Sequence, residues 1–307
     1  MTASPPVPSQ EILARAEAAY LGLALGDALG ATVEFMTPRE IAHQYGVHRE
    51  IIGGGWLKLR PGQVTDDTTM SLALGEAILA RGGEISRLAC ARAFDAWMRS
   101  KPADIGNTVR RNLMLFRRSG YPAAPPSDHD AGNGAAMRVL PVALATLTWS
   151  EYEVREACRM QGHVTHNNAV SDAACEFIAL AVQDFIRGAS LRDVHRGRIL
   201  PLIEAQPAFA FRGKPRRENP SGWIVETMQA VLQSLVEVGG LENCIIDVVN
   251  RGGDADTTGA IAGMLAGAMY GREALPQRWL KALDPAGRAA CVDQARALID
   301  VAPAPTF

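Results

Sequence analysis

Five cysteines are all that 307 residues contain, and they are scattered at Cys90, Cys158, Cys175, Cys244 and Cys291. Their number is odd and no CxxC pair occurs, which excludes a zinc knuckle and a disulfide framework. Small buried thiols in a reducing compartment fit that usage. Aromatics are also few, at 6%. The longest apolar run, Ala260 to Tyr270, falls well short of the ~20 residues a membrane span needs. The opening MTASPPVPSQ has no basic segment followed by an apolar one, so no signal peptide is expected and the chain is read as cytoplasmic. Lys and Arg number 31 against 33 Asp and Glu, a net charge of −2. No basic field exists to draw nucleic acid. Strand signals are scarce, and no repeat period stands out.

What remains is helical periodicity. Residues 11–29 place Leu13, Ala16, Tyr20, Leu23, Ala24 and Asp27 near one stripe. The same spacing predicts helices over 68–80, 85–98, 135–147, 151–160, 171–186, 191–204, 222–236 and 241–249. IIGGGWLKL, residues 51–59, allows a short hairpin or extended turn. Turn residues gather at 122–133 and 207–220. Gly259, Gly263, Gly267 and Gly271 recur every fourth residue. Glycine in a helix costs ~1 kcal/mol, so this seam implies a central helix that neighbouring backbones approach closely. The pattern predicts an all-α, single compact domain over 11–300, with a disordered tail over 1–10.

Two stretches concentrate acids. VTDDTTM holds Thr65, Asp66, Asp67 and Thr68; GGDADTTG holds Asp254, Asp256, Thr257 and Thr258. Each opens a helix after a glycine-containing turn. Capping accounts for one acid at a helix start, but not for two, twice, each with a hydroxyl neighbour. Successive helical residues diverge, so each pair is expected to converge from the turn before its helix. Carboxylates massed in a core need a cation, and oxygen-only ligands suit Mg²⁺ or Mn²⁺ rather than zinc. Two ions sharing carboxylates, ~3.5–4 Å apart, form a standard hydrolytic centre. An EF-hand is excluded, because Leu265 stands where its glutamate belongs.

GLALGDALGATVEF, GQVTDDTTMSLALG, AGNGAAMR, VTHNNAVSDAA and NRGGDADTTGAIAGMLAGAMYG together resemble the ADP-ribosylglycohydrolase family, in the family's order, over about Leu21 to Gly271. The resemblance implies an all-α orthogonal bundle with a two-metal site. It implies that Thr65, Asp66, Asp67, Asp254, Asp256 and Thr257 are metal ligands. It makes Glu34 an acid beside the metals and Asp104 the acid at the scissile ribose. Asn107, the Gly132–Asn133–Gly134 turn, His166 and Trp223 are then substrate-binding. Two departures are visible: Asn168-Ala169 stands where members often carry His-Pro, and Trp223 where a tyrosine is common.

ATVEFMT, GGGWLKLRPGQ, KPADIGNT and DAGNGAAMRVLP are similar to the family branch that removes ADP-ribose from an arginine of the nitrogenase iron protein. For that branch the resemblance implies a monomer, a PII signalling protein as partner, and peripheral recruitment to a membrane ammonium transporter. Other substrates in the family's range are ADP-ribosylserine and O-acetyl-ADP-ribose. A non-catalytic ADP-ribose-binding relative is the remaining alternative; all six metal-ligand positions are filled here.

Overall fold

Ser9 accepts the backbone N–H of Ile12 and so opens α1 (Gln10–Gly30). The structure, a computed structural model, describes residues 9–302. Of the tail expected over 1–10, residues 1–8 lie outside the described residues. The chain continues through α2 (Pro38–Tyr45), α3 (Asp66–Leu79), α4 (Arg87–Arg99) and α5 (Asn107–Ser119). Next come α6 (Leu140–Ala145), α7 (Glu151–Gly162), α8 (Ala169–Ile186), α9 (Leu191–Val194) and α10 (Leu200–Ala205). The last third holds α11 (Ile224–Glu237), α12 (Leu241–Val249), α13 (Ala255–Tyr270), α14 (Gln277–Ala282) and α15 (Pro285–Asp300). Among the described residues there are no strands, only single bridges pairing Gly54 with Leu59 and Gly132 with Trp223. None of these helices is long and apolar enough to cross a membrane.

The centre is a pair of helices. Every residue of α1 from Ala16 to Gly30 is buried, as is every residue of α13 from Ala255 to Ala268. Helices buried all round carry no polar stripe and belong to the middle of a fold. They meet along glycines. A Cβ added to Gly263 would stand 2.0 Å from the Gly22 oxygen, and one on Gly26 would stand 2.0 Å from the Gly259 oxygen. The expected seam on α13 is therefore matched by a second one on α1, at Gly22, Gly26 and Gly30. Helices α3, α8, α12 and α15 pack around this pair. All five cysteines are free and buried.

Several expectations need correction. Of the helix predicted over 135–147, only α6 forms. The Ala135 carbonyl accepts from the Gln161 side chain at 3.0 Å, and Pro141 has no N–H to offer the preceding turn. The helix over 191–204 is interrupted by a π-turn at His195–Ile199, where the Leu200 N–H reaches the His195 carbonyl; Pro201 again removes a donor. Helices α2, α5, α14 and α15 were not anticipated. The hairpin at 51–59 is a single pair of backbone bonds, Gly54 N–H to Leu59 O at 2.8 Å and the reverse at 2.9 Å.

Candidate active site

The central pair sets two acid-bearing ends side by side. Beyond α1 the chain turns through 31–35 and buries Glu34. Beside it runs the loop leading into α13. The two loops are tied by backbone bonds, Phe35 N–H to Gly253 O at 2.7 Å and Gly253 N–H to Met36 O at 2.9 Å. Gly253 holds φ at 68°, and a Cβ there would lie 2.1 Å from the Pro220 oxygen. Asp254 is then the N-cap of α13 and Asp256 lies in its first turn. One carboxylate oxygen from each of Glu34, Asp254 and Asp256 falls within 4.8 Å of the others.

The second cluster arrives on α3. Asp66 and Asp67, expected in the turn before the helix, are instead its first two residues, with Thr65 as N-cap. They diverge and take different places. Asp66 lines the cleft. Asp67 lies beneath, where its Oδ2 faces Thr65 Oγ1 and Thr257 Oγ1, each at 3.3 Å. Both helix N-termini thus point at one centre, which favours negative charge there.

Asp27 organises this end and was not singled out from the sequence. It is fully buried. It accepts the backbone N–H groups of Thr65 (2.9 Å) and Thr68 (3.1 Å), and both hydroxyls, at 2.9 and 2.5 Å. The signal was an acid within LGLALGDALG, a stretch with no other charge. Its grip has a consequence. A hydroxyl donates one proton, and that of Thr65 goes to Asp27 over its shortest contact. The oxygen's lone pairs then face Asp67 Oδ2 at 3.3 Å and Asp256 Oδ2 at 3.4 Å. Acceptors are set against acceptors, and the buried Asp67 Oδ1 has no partner. A divalent cation resolves both problems. Octahedral ligands at 2.0–2.1 Å leave about 3 Å between neighbouring oxygens, close to the spacing seen. The residues present, all oxygen donors, fit a hard divalent cation.

The carboxyls record the same crowding. Burial pushes Asp66 up to about 7, helped by Asp104, Asp27 and Asp254. Glu34 is pushed up to about 8 by burial, against the lowering effect of the Trp56 N–H, with Asp254, Asp104 and Asp66 adding to the rise. Asp67 and Asp256 are raised well above the ordinary range, first by burial and then by neighbouring carboxylates. In chelator these groups keep protons that the unfolded chain has lost above pH ~4. Their contribution to stability is then complete below pH ~4 and drains away as pH rises towards about 8, the folded value of Glu34. The expected result is a melting temperature that falls between pH 5 and 8 in chelator. Mn²⁺ should restore it, most strongly at pH 8. A flat chelated profile in differential scanning calorimetry would contradict the crowded-acid account.

A cleft of about 290 Å³ opens over these groups. One wall is the loop before α5, with Asp104 and Gly106, and the first residue of that helix, Asn107. Burial raises Asp104 above the usual carboxylate range, although the Ile105 N–H works the other way. The opposite wall is Gly132, Asn133 and Gly134 against His166. Asn133 is fixed by donating to Asp254 Oδ2 at 2.7 Å and to Thr227 Oγ1 at 3.0 Å. Both glycines make room for the imidazole: a Cβ on Gly132 would be 2.9 Å from His166 Nε2, and one on Gly134 2.9 Å from Cε1. Trp223 does not line the cleft; it is half-exposed, while its neighbour Gly222 lines the wall and accepts from the Asn133 N–H at 3.0 Å.

His166 has a readable tautomer. Arg138, buried and stacked 4.1 Å over the Phe94 ring, donates to Thr165 Oγ1 at 2.8 Å. The Thr165 proton is therefore directed to His166 Nδ1, also at 2.8 Å. Nδ1 accepts, and the ring proton sits on Nε2, facing the glycine wall. Burial, with Arg138 and Arg111, pulls His166 down to about 3. It is a neutral donor at working pH, not an acid. Arg138 was present in AGNGAAMR but was not singled out; its burial was invisible there.

A sequence model described as ADP-ribosylglycohydrolase matches residues 8–305. The chain is 48% identical to the ADP-ribosyl-[dinitrogen reductase] glycohydrolase of Rhodospirillum rubrum, over 88% of this chain and 90% of that one. It is 30% identical to the ADP-ribosylarginine hydrolase Tri1 of Serratia proteamaculans, over 90% of this chain and 77% of that one. A solved structure described as an ADP-ribosylglycohydrolase-related protein complex superposes with a TM-score of 0.84 at 33% identity, covering 96% of this chain and all of the other. The carboxylate cleft, the helical fold and these likenesses agree: the chain belongs to the ADP-ribosylglycohydrolase family.

Proposed function

We propose that this protein hydrolyses the N-glycosidic bond between ADP-ribose and an arginine of a target protein, the nitrogenase iron protein foremost, and that residues 11–300 act as one catalytic domain. The observation that carries the reading is the meeting of Glu34, Asp66, Asp104, Asp254 and Asp256 in one cleft with the Gly132–Gly134 wall. The relatives named above act, by their names, on ADP-ribosylated dinitrogen reductase and on ADP-ribosylarginine. Thr65, Asp66, Asp67, Asp254, Asp256 and Thr257 would hold two divalent ions, Mn²⁺ or Mg²⁺. When bound, they supply positive charge that neutralises these carboxylates, orients ribose hydroxyls and activates water.

The chain's own groups do the rest. His166 Nε2–H and the backbone of the Gly132–Gly134 turn bind the phosphates, and Asn107 borders the ribose. Asp104, its carboxyl raised above the usual range by burial, is the acid for the departing guanidine. Glu34 aligns the attacking water from the other side. Recruitment by a PII protein to a membrane ammonium transporter belongs to the same reading.

Incubation with ADP-ribosylated iron protein should release ADP-ribose with Mn²⁺ and not in chelator, and Asp104→Asn should slow it by about 10²–10⁴-fold. Cleavage of ADP-ribosylserine alone would refute the arginine assignment. Failure to co-purify a PII protein from ammonium-treated cells would remove the partner.

A further inference from the structure

The mechanism leaves a second depression unused. It is a groove of about 550 Å³ that shares two wall residues, Glu34 and Phe35, with the catalytic cleft. Phe35, Tyr45 and Trp56 line it, together with the acids Glu34 and Glu40. Phe35 is the partition between groove and cleft.

Phe35 and Trp56 are 65% and 53% exposed, with ring centroids 5.5 Å apart at a 44° tilt. Neither ring is carried on a loose segment. Phe35 holds φ at 64°, in the left-handed region that bulky residues avoid. Its N–H is bound to the loop that leads to Asp254. Trp56 follows the Gly53–Gly55 turn, which is clamped onto the end of α1: Thr32 Oγ1 donates to Gly53 O at 3.0 Å, and a Cβ on Gly55 would lie 2.4 Å from the Ala31 oxygen. From there its indole N–H donates to Glu34 Oε2 at 2.6 Å. A strained aromatic residue whose ring stands in water contributes little to a core. Such outliers mark functional positions.

We infer that Phe35 and Trp56 form the arginine subsite, the lip over which the guanidinium of the modified residue lies, and that the groove beyond receives the flanking segment of the target protein. A guanidinium is planar and weakly hydrated, and it stacks on aromatic faces. Glu40 supplies the opposite charge on the same wall. The scissile bond joins two halves. One half is held against Gly132–Gly134 and His166, so the other must leave by a different wall, and this lip shares Glu34 with the reacting centre. The inference rests on the reading of the cleft as an ADP-ribosylarginine hydrolase.

The test measures KM for ADP-ribosylated iron protein, and Kd for free ADP-ribose by calorimetry, in native protein, Phe35→Ala and Phe35→Tyr. Phe35→Ala should raise KM about tenfold while Kd for ADP-ribose moves by less than about twofold, and Phe35→Tyr should restore KM. Equal weakening of both ligands, or no change in KM, overturns the subsite alone. If native protein binds ADP-ribose yet cleaves no arginine-linked substrate, the hydrolase reading falls and the subsite falls with it.

Discussion

Asp256→Asn lowers kcat/KM for ADP-ribosylarginine by at least about 10³-fold, an effect of the size that losing a cation's several kcal/mol of charge stabilisation produces. Asp256 is buried, stands within 4.8 Å of Glu34 and Asp254, and meets Thr65 Oγ1 at 3.4 Å. Together with Thr257, which reaches Asp67 Oδ2 at 3.3 Å, it bridges the ends of α3 and α13. The carboxamide keeps the shape and removes the charge. It also brings an N–H donor to a place where acceptors now face one another. In chelator, therefore, Asp256→Asn should melt no lower than native protein, and higher at pH 8, because one of the crowded acids has gone. Calorimetric Mn²⁺ titration and thermal melts of both proteins check the two halves. Undiminished Mn²⁺ binding with undiminished turnover would remove Asp256 from the metal site.

Gly263→Ala should lower stability by more than about 3 kcal/mol, beyond the usual range for overpacking. The added methyl would stand 2.0 Å from the Gly22 oxygen and 2.6 Å from its carbonyl carbon. Both obstacles are backbone, so no rotamer change relieves them. The two central helices would have to separate, and every apolar neighbour packed around them would lose contact. Gly197→Ala is the control, since nothing lies within 4 Å of a Cβ there; its effect should stay within about 0.5 kcal/mol. Urea unfolding of the two variants compares them directly. A stable Gly263→Ala protein would mean the helices are not in backbone contact.

Those glycines show what can be read from a sequence alone. Spacing by four on α13 announced close approach, because glycine costs stability unless something needs the room. The same spacing on α1, Gly22-Gly26-Gly30, escaped notice because it lies among alanines and leucines that already explain a buried helix. The acid clusters were legible for a related reason: charge in an apolar setting demands a partner. Asp27 obeys the same rule, but as a single acid in a helix buried all round it gives no spacing to count. The Arg138–Thr165–His166 relay was out of reach, since its order depends on which groups become buried together. Helix α5 was legible and was missed: its buried Val109, Asn112 and Leu113 fall at helical spacing beneath an arginine-rich face. Asp66 and Asp67 sit in the helix rather than before it, because helical divergence is no obstacle to a shared site. In the fold it sends one acid into the cleft and the other beneath it.

The glycine seam also dictates when the site can exist. Its partners lie about 240 positions apart in the chain, the kind of pairing that makes folding slow. At a synthesis rate of about 5–20 residues per second, α1 waits upwards of ten seconds for α13 to be made. Until then Glu34 has neither Asp254 nor Asp256 beside it. Metal capture is thus a late event in the birth of the molecule, and a chain cut short before residue 254 carries only half of the cradle.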